Sequence, residues 1–150
     1  MIRARRRAAA RQQGGSRSLG KRLKAAPGIL LGVDARAVLR QEFDSEPGSF
    51  MHRLYVDRVW DRSAFSRLER AMREVCRDYG GQDQDRLERW LAEGYFVSAT
   101  WVRDHTSHPS FPRPDPRDYY EACLERLWEL ADWFFRGYHV YQEPHDWEDL

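Results

Sequence analysis

The densest run of polar side chains able to do chemistry is Trp101-Val102-Arg103-Asp104-His105-Thr106-Ser107-His108-Pro109. Imidazoles and carboxylates ligate zinc and related first-row metals, and an imidazole is well matched to general-base work near neutral pH. The run supplies Asp104, His105 and His108, and an up-down helical packing would carry His52 toward them, together with Asp57 and Asp61. His52, Asp104, His105 and His108 are therefore the candidate metal or acid–base set. The spacing is not that of an established helical ligand pair such as His-Glu-x-x-His. The competing reading makes His105 a core histidine on an apolar helical face and His108 a helix-capping residue before Pro109. His139 is expected at the far end of the last long helix, about 30 Å from that helix's start at 1.5 Å per residue.

Nucleophilic chemistry finds less. Cys76 and Cys123 are the only cysteines. Each falls on an apolar helical arc with no base beside it, and the two are expected toward opposite ends of the molecule. No disulfide is expected, which suits a reducing, cytoplasmic compartment. There is no Gly-rich phosphate loop, no Gly-x-Ser-x-Gly elbow and no Cys-x-x-Cys. No cofactor is expected, and the balance tips away from an enzyme.

Charge gives a stronger pattern. The net charge of +1 sums 25 basic and 24 acidic side chains, but the first 33 residues hold nine of the basic ones and none of the acids. None of the aromatics precedes Phe43. Residues 1–26 are thus expected to be a disordered basic tail, too poor in apolar surface to offset chain entropy. Arg3, Arg5, Arg6, Arg7 and Arg11 can neutralise phosphates or another anionic surface. A transit peptide and a plain solvated extension fit the same composition. Residues 27–150 carry the opposite excess. Asp118, Glu121, Glu125, Glu129 and Asp132 are spaced 3, 4, 4 and 3 apart and fall within an arc of about 80° on one helix. Aligned like charges oppose one another, and only Arg136 is placed to relieve them. Trp133 projects beside the row, roughly opposite the apolar arc. An exposed tryptophan next to an acidic stripe is what a surface for a basic partner would use.

These side chains need elements to hold them. Asp34 can cap a short helix over 35–43, and 44–49 is turn-rich. Residues 50–60 fit neither the helical nor the strand period. Asp61 or Ser63 caps a helix to Tyr79, with Phe65, Leu68, Met72, Val75 and Cys76 on one face. Its other side carries Arg62, Arg70, Arg73 and Arg77 with Glu69 and Glu74 between them, which reads as a solvent face laced by i,i+4 pairs. A second helix over 85–105 is the central one. Gly94 and Ser98 lie within its apolar arc and would admit a close neighbour. Asp115-Pro116-Arg117-Asp118 reads as N-cap, N1 proline and first-turn acid of a third helix, which Gly137 can end.

The fold expected is all-α. It is a small antiparallel bundle of three long helices with one or two short N-terminal elements, following the tail. At 150 residues and 41% hydrophobic the chain can bury a real core, and no apolar run approaches the roughly 20 residues of a membrane span. The function expected is that of an interaction module, an adaptor or accessory protein offering its acidic helix to a basic protein partner. A His/Asp metal or catalytic site and a nucleic-acid accessory role through the tail stand as alternatives.

Overall fold

The computed structural model describes residues 34–79, 86–139 and 150. Leu31–Leu150 form one compact unit. Helix α1 spans Ala35–Phe43, and the Asp34 carboxylate accepts the backbone N–H of Arg36 at 3.0 Å. After the turn, Ser49 caps α2, Phe50–His52, by accepting the His52 N–H at 3.0 Å. The chain then runs directly into a π-helical turn, Arg53–Asp57, closed by Arg58 in the left-handed region at φ +55°. That turn explains why 50–60 follows neither regular period: a π turn inserts a residue and rotates the side chains that follow it. Leu54 goes to the core, and Tyr55, Val56 and Val59 go to solvent.

Helices α3 (Arg62–Tyr79), α4 (Arg89–Ser107) and α5 (Arg117–Arg136) make the bundle. Asp61 starts α3 by accepting the Ala64 N–H at 3.0 Å. Antiparallel pairing of α4 with α5 follows from two contacts, a Thr106–Tyr120 hydroxyl bond of 2.6 Å and a Tyr95–Phe134 stack at 4.1 Å. Tyr95 also donates to the Met72 carbonyl of α3 at 2.6 Å. Trp60 packs with Phe50, Phe65 and Tyr120 at centroid distances of 5.1–5.5 Å and closes the opposite end of the core. The described residues are helical or irregular, with no strand among them, so the chain is an all-α helical bundle.

Gly94 has the role its place in the apolar arc suggested. A Cβ there would lie 2.0 Å from the Phe43 ring, so the absent side chain lets the end of α1 press against α4. Gly137 ends α5 at φ +74° with its N–H on the Trp133 carbonyl at 2.9 Å.

Two expectations are corrected. Asp115 does not cap α5: Pro116 holds the N-cap position with no side-chain cap, after a cis Asp115–Pro116 bond, and the Asp115 carbonyl accepts from Arg62 instead. Glu69 and Arg73 are not on a solvent face. Glu69 is buried and bonds Arg73 at 2.8 Å and Arg126 of α5 at 2.7 Å, which makes an internal ion triad across the α3/α5 contact.

Candidate functional site

The end of α4 does meet the segment after α2. Arg58 donates to the Ser110 hydroxyl at 2.8 Å, and the Tyr55 ring lies 6.0 Å from Trp101 and 6.4 Å from His105. His105 stacks on Trp101 at 4.5 Å and meets Phe111 edge-on at 5.6 Å. Its imidazole is a member of an aromatic cluster. His108 turns to its own loop, where Nδ1 bonds the Ser110 hydroxyl at 2.8 Å and accepts the Ser110 N–H at 3.2 Å. Asp104 is exposed. Among the described residues no three His, Cys, Asp or Glu side chains come together as metal ligands. His52, Asp104, His105 and His108 therefore do not converge into the constellation expected of them. His139 packs against Trp133, and His145 lies outside the described residues.

The two thiols are buried and unpaired with each other. Burial pushes Cys76 up to about 12 and Cys123 up to about 11. The thiolate is the reactive form, so the folded protein should alkylate with iodoacetamide at pH 8 at least about 100-fold more slowly than free cysteine. Two equivalents should react promptly after guanidinium unfolding. One equivalent consumed quickly in the native state would show this description of the cysteines to be wrong.

The α5 acids line the outer surface as the spacing predicts. Asp118, Glu121 and Glu125 are exposed, and Glu129 and Asp132 are partly so. Relief comes at both ends and not only from Arg136. Arg117 pairs with Glu121 at 2.7 Å, and Arg136 pairs with Asp132 at 2.6 Å. No ion pair engages Glu125 or Glu129 among the described residues.

The more exposed tryptophan beside this row is Trp128 and not Trp133. Trp133 is only partly exposed; it packs on the core and meets His139 edge-on at 5.1 Å. Trp128 is 58% exposed, and Phe135 on the same side of the helix is 46% exposed. At about 100° per residue these two sit within roughly 20–60° of Glu121 and Asp132. Trp128 faces α4, where it forms one wall of an open groove with Ala99, Thr100, Arg103 and Asp104.

A second polar centre was not visible in the sequence. Glu88, just before α4, accepts from Arg36, from Tyr79 at 2.9 Å and from Trp90 at 2.8 Å. These bonds, led by Arg36, hold its carboxyl down to about 2. Arg40 lies 3.7 Å over the Trp90 ring. The cluster ties α1, α3 and α4 together, and its carboxylate is saturated with donors, so it is a clamp rather than a reactive centre. The only signal in the sequence was Glu88 with Trp90 at the start of an apolar helix. Arg3, Arg5, Arg6, Arg7 and Arg11 lie outside the described residues.

No helix among the described residues is long and apolar enough to cross a membrane. Comparison of the chain with protein-family models, with curated proteins and with solved structures finds no match.

Proposed function

We propose that this protein is a non-enzymatic interaction module that presents the outer face of α5 to a basic protein partner. The observation that supports this most is the alignment of Glu125 and Glu129, outside any ion pair among the described residues, in an acidic row flanked on its Glu121 side by the exposed indole of Trp128. Aligned acids cost an isolated helix a few tenths of a kcal/mol per pair. A cationic partner removes that cost and gains in rate and specificity from charge complementarity. The exposed aromatic supplies the apolar contact that charge alone lacks.

The test is charge reversal with a balanced control. Glu121→Lys/Glu125→Lys/Glu129→Lys should weaken binding to poly-L-lysine by at least about tenfold at low ionic strength, with helicity unchanged by circular dichroism. Glu74→Lys/Asp78→Lys/Glu93→Lys makes the same change in net charge on exposed positions of α3 and α4. It should bind nearly as well as the unmodified protein. Equal losses in both variants would mean that overall charge, not this face, attracts the polycation, and the proposal would fall.

A further inference from the structure

The seam between α4 and α5 carries an apolar strip that the fold leaves open. The Thr106–Tyr120 bond and the Tyr95–Phe134 stack fix the register of the two antiparallel helices. That register sets Ala99 at the level of Trp128 and Phe96 near the level of Phe135. Phe96 is 59% exposed, as open as Trp128. Beside Trp128 lies an open groove of about 510 Å³, lined on the α4 side by Ala99, Thr100, Arg103 and Asp104.

The groove's lining is mixed, with Ala99 and the Trp128 indole as its apolar part. Its Ala99 side is buried. The Thr100 hydroxyl donates to the Phe96 carbonyl at 2.8 Å. Trp128 contributes an indole face. The charged members, Arg103 and Asp104, are exposed and of opposite sign. Such a groove accepts an apolar side chain, whereas the ridge alongside it, Glu121 and Glu125, attracts cations.

From this juxtaposition we infer that the α4/α5 seam receives an amphipathic basic segment of a partner protein, which seats one apolar side chain against Trp128 and turns its lysines or arginines to Glu121 and Glu125. The mode is that of a helix laid in a groove, with the tryptophan as the central anchor. The inference rests on the proposed acidic-face function and adds to it an apolar anchor and its location.

The experiment is a ¹⁵N NMR titration of the full chain with three synthetic 18-residue peptides. One has a lysine/leucine pattern of helical period, one replaces every leucine by serine at the same charge, and one replaces every lysine by glutamate. The lysine/leucine peptide should shift the Trp128 indole and the Ala99, Thr100 and Arg103 amides. Trp128→Ala should weaken that peptide by at least about tenfold and leave the lysine/serine peptide unaffected. Trp128 is exposed, so this variant keeps its fold. Equal affinity for the lysine/leucine and lysine/serine peptides would overturn the inference while sparing the acidic-face reading. If neither peptide bound, that reading would itself fail. Binding of the glutamate/leucine peptide as tightly as the lysine/leucine one, or groove signals that move on dilution of the protein alone, would also overturn it; the second result would make another copy of the chain the occupant.

Discussion

Glu69→Ala is expected to destabilise the fold by about 3–5 kcal/mol, the largest loss of any single polar substitution considered. Glu69 is buried, and its two carboxylate oxygens are divided between Arg73 on its own helix at 2.8 Å and Arg126 on α5 at 2.7 Å. Both arginine side chains are themselves nearly covered, at 13% and 11% exposure. Removing the carboxylate takes from both cations the buried anion that they share in a poorly solvated place. Because natural domains are stable by only about 5–15 kcal/mol, the variant should unfold at a markedly lower urea concentration. The triad also explains the orientation of α5, since it fixes one point of contact between α3 and α5 by charge while the apolar residues fix the rest.

The loss measures how costly the broken triad is, not how much the intact one contributes. Two charges taken from water carry a desolvation penalty that their attraction only partly offsets. Glu69→Met/Arg73→Met/Arg126→Met, which removes all three charges together, should therefore recover part of the stability lost by Glu69→Ala. Equilibrium urea denaturation of both variants at pH 7 checks the pair of expectations. A Glu69→Ala protein within about 1 kcal/mol of the parent would mean that the arginines do not depend on Glu69, and the triad would have to be discarded as an organising contact.

The triad also shows where reading the sequence stops. The three long helices are legible because their apolar residues recur at 3.6-residue spacing over four or five turns. Gly94 and Gly137 are legible because a glycine inside an apolar arc and a glycine after a helix each have few physical uses. Glu69 was missed because a Glu–Arg pair at i,i+4 normally belongs to a solvated face. On the helical wheel, however, Glu69 lies only about 20° from Cys76, at the edge of the buried arc, and burial there depends on where α5 packs. The choice between Trp128 and Trp133 fails for a related reason. The two tryptophans flank the apolar arc of α5 on opposite sides. The one next to α4 stays open over a groove, and the one at 133 meets the His139 ring. Periodicity identifies which residues are at the edge of an arc; only the neighbours decide which edge is covered. The histidines illustrate the same limit. The end of α4 does meet the chain near residue 55, but the imidazoles of His105 and His108 face an aromatic ring and a serine rather than another ligand.

Stability is expected to fall as pH rises from about 4.5 to about 8, and Glu42 is the group that should carry this dependence. Its carboxyl is 2% exposed at the end of α1, and it accepts the Phe50 N–H at 2.7 Å. Burial pushes its pKa up from 4.5 to about 7, against the opposing pull of the Phe50 and Met51 N–H groups and the positive charge of Arg67; Asp61 adds a smaller upward push. Between the unfolded and folded values the native protein binds a proton that the unfolded chain does not. Glu42 therefore contributes fully below about pH 4.5, and its contribution is lost as pH rises through 7. At about 1.4 kcal/mol per pKa unit, the loss amounts to roughly 3 kcal/mol by pH 8. Glu42→Gln keeps an oxygen for the Phe50 N–H and cannot ionise. It should match the parent near pH 4.5, exceed it by about 2–3 kcal/mol at pH 8, and flatten this part of the stability profile. Because every other titrating group is common to both proteins, the difference between their urea-denaturation profiles isolates residue 42. Parallel profiles across the range would show that the Glu42 carboxylate is held in the core as comfortably charged as neutral, with the α2 N–H groups and Arg67 outweighing its loss of water.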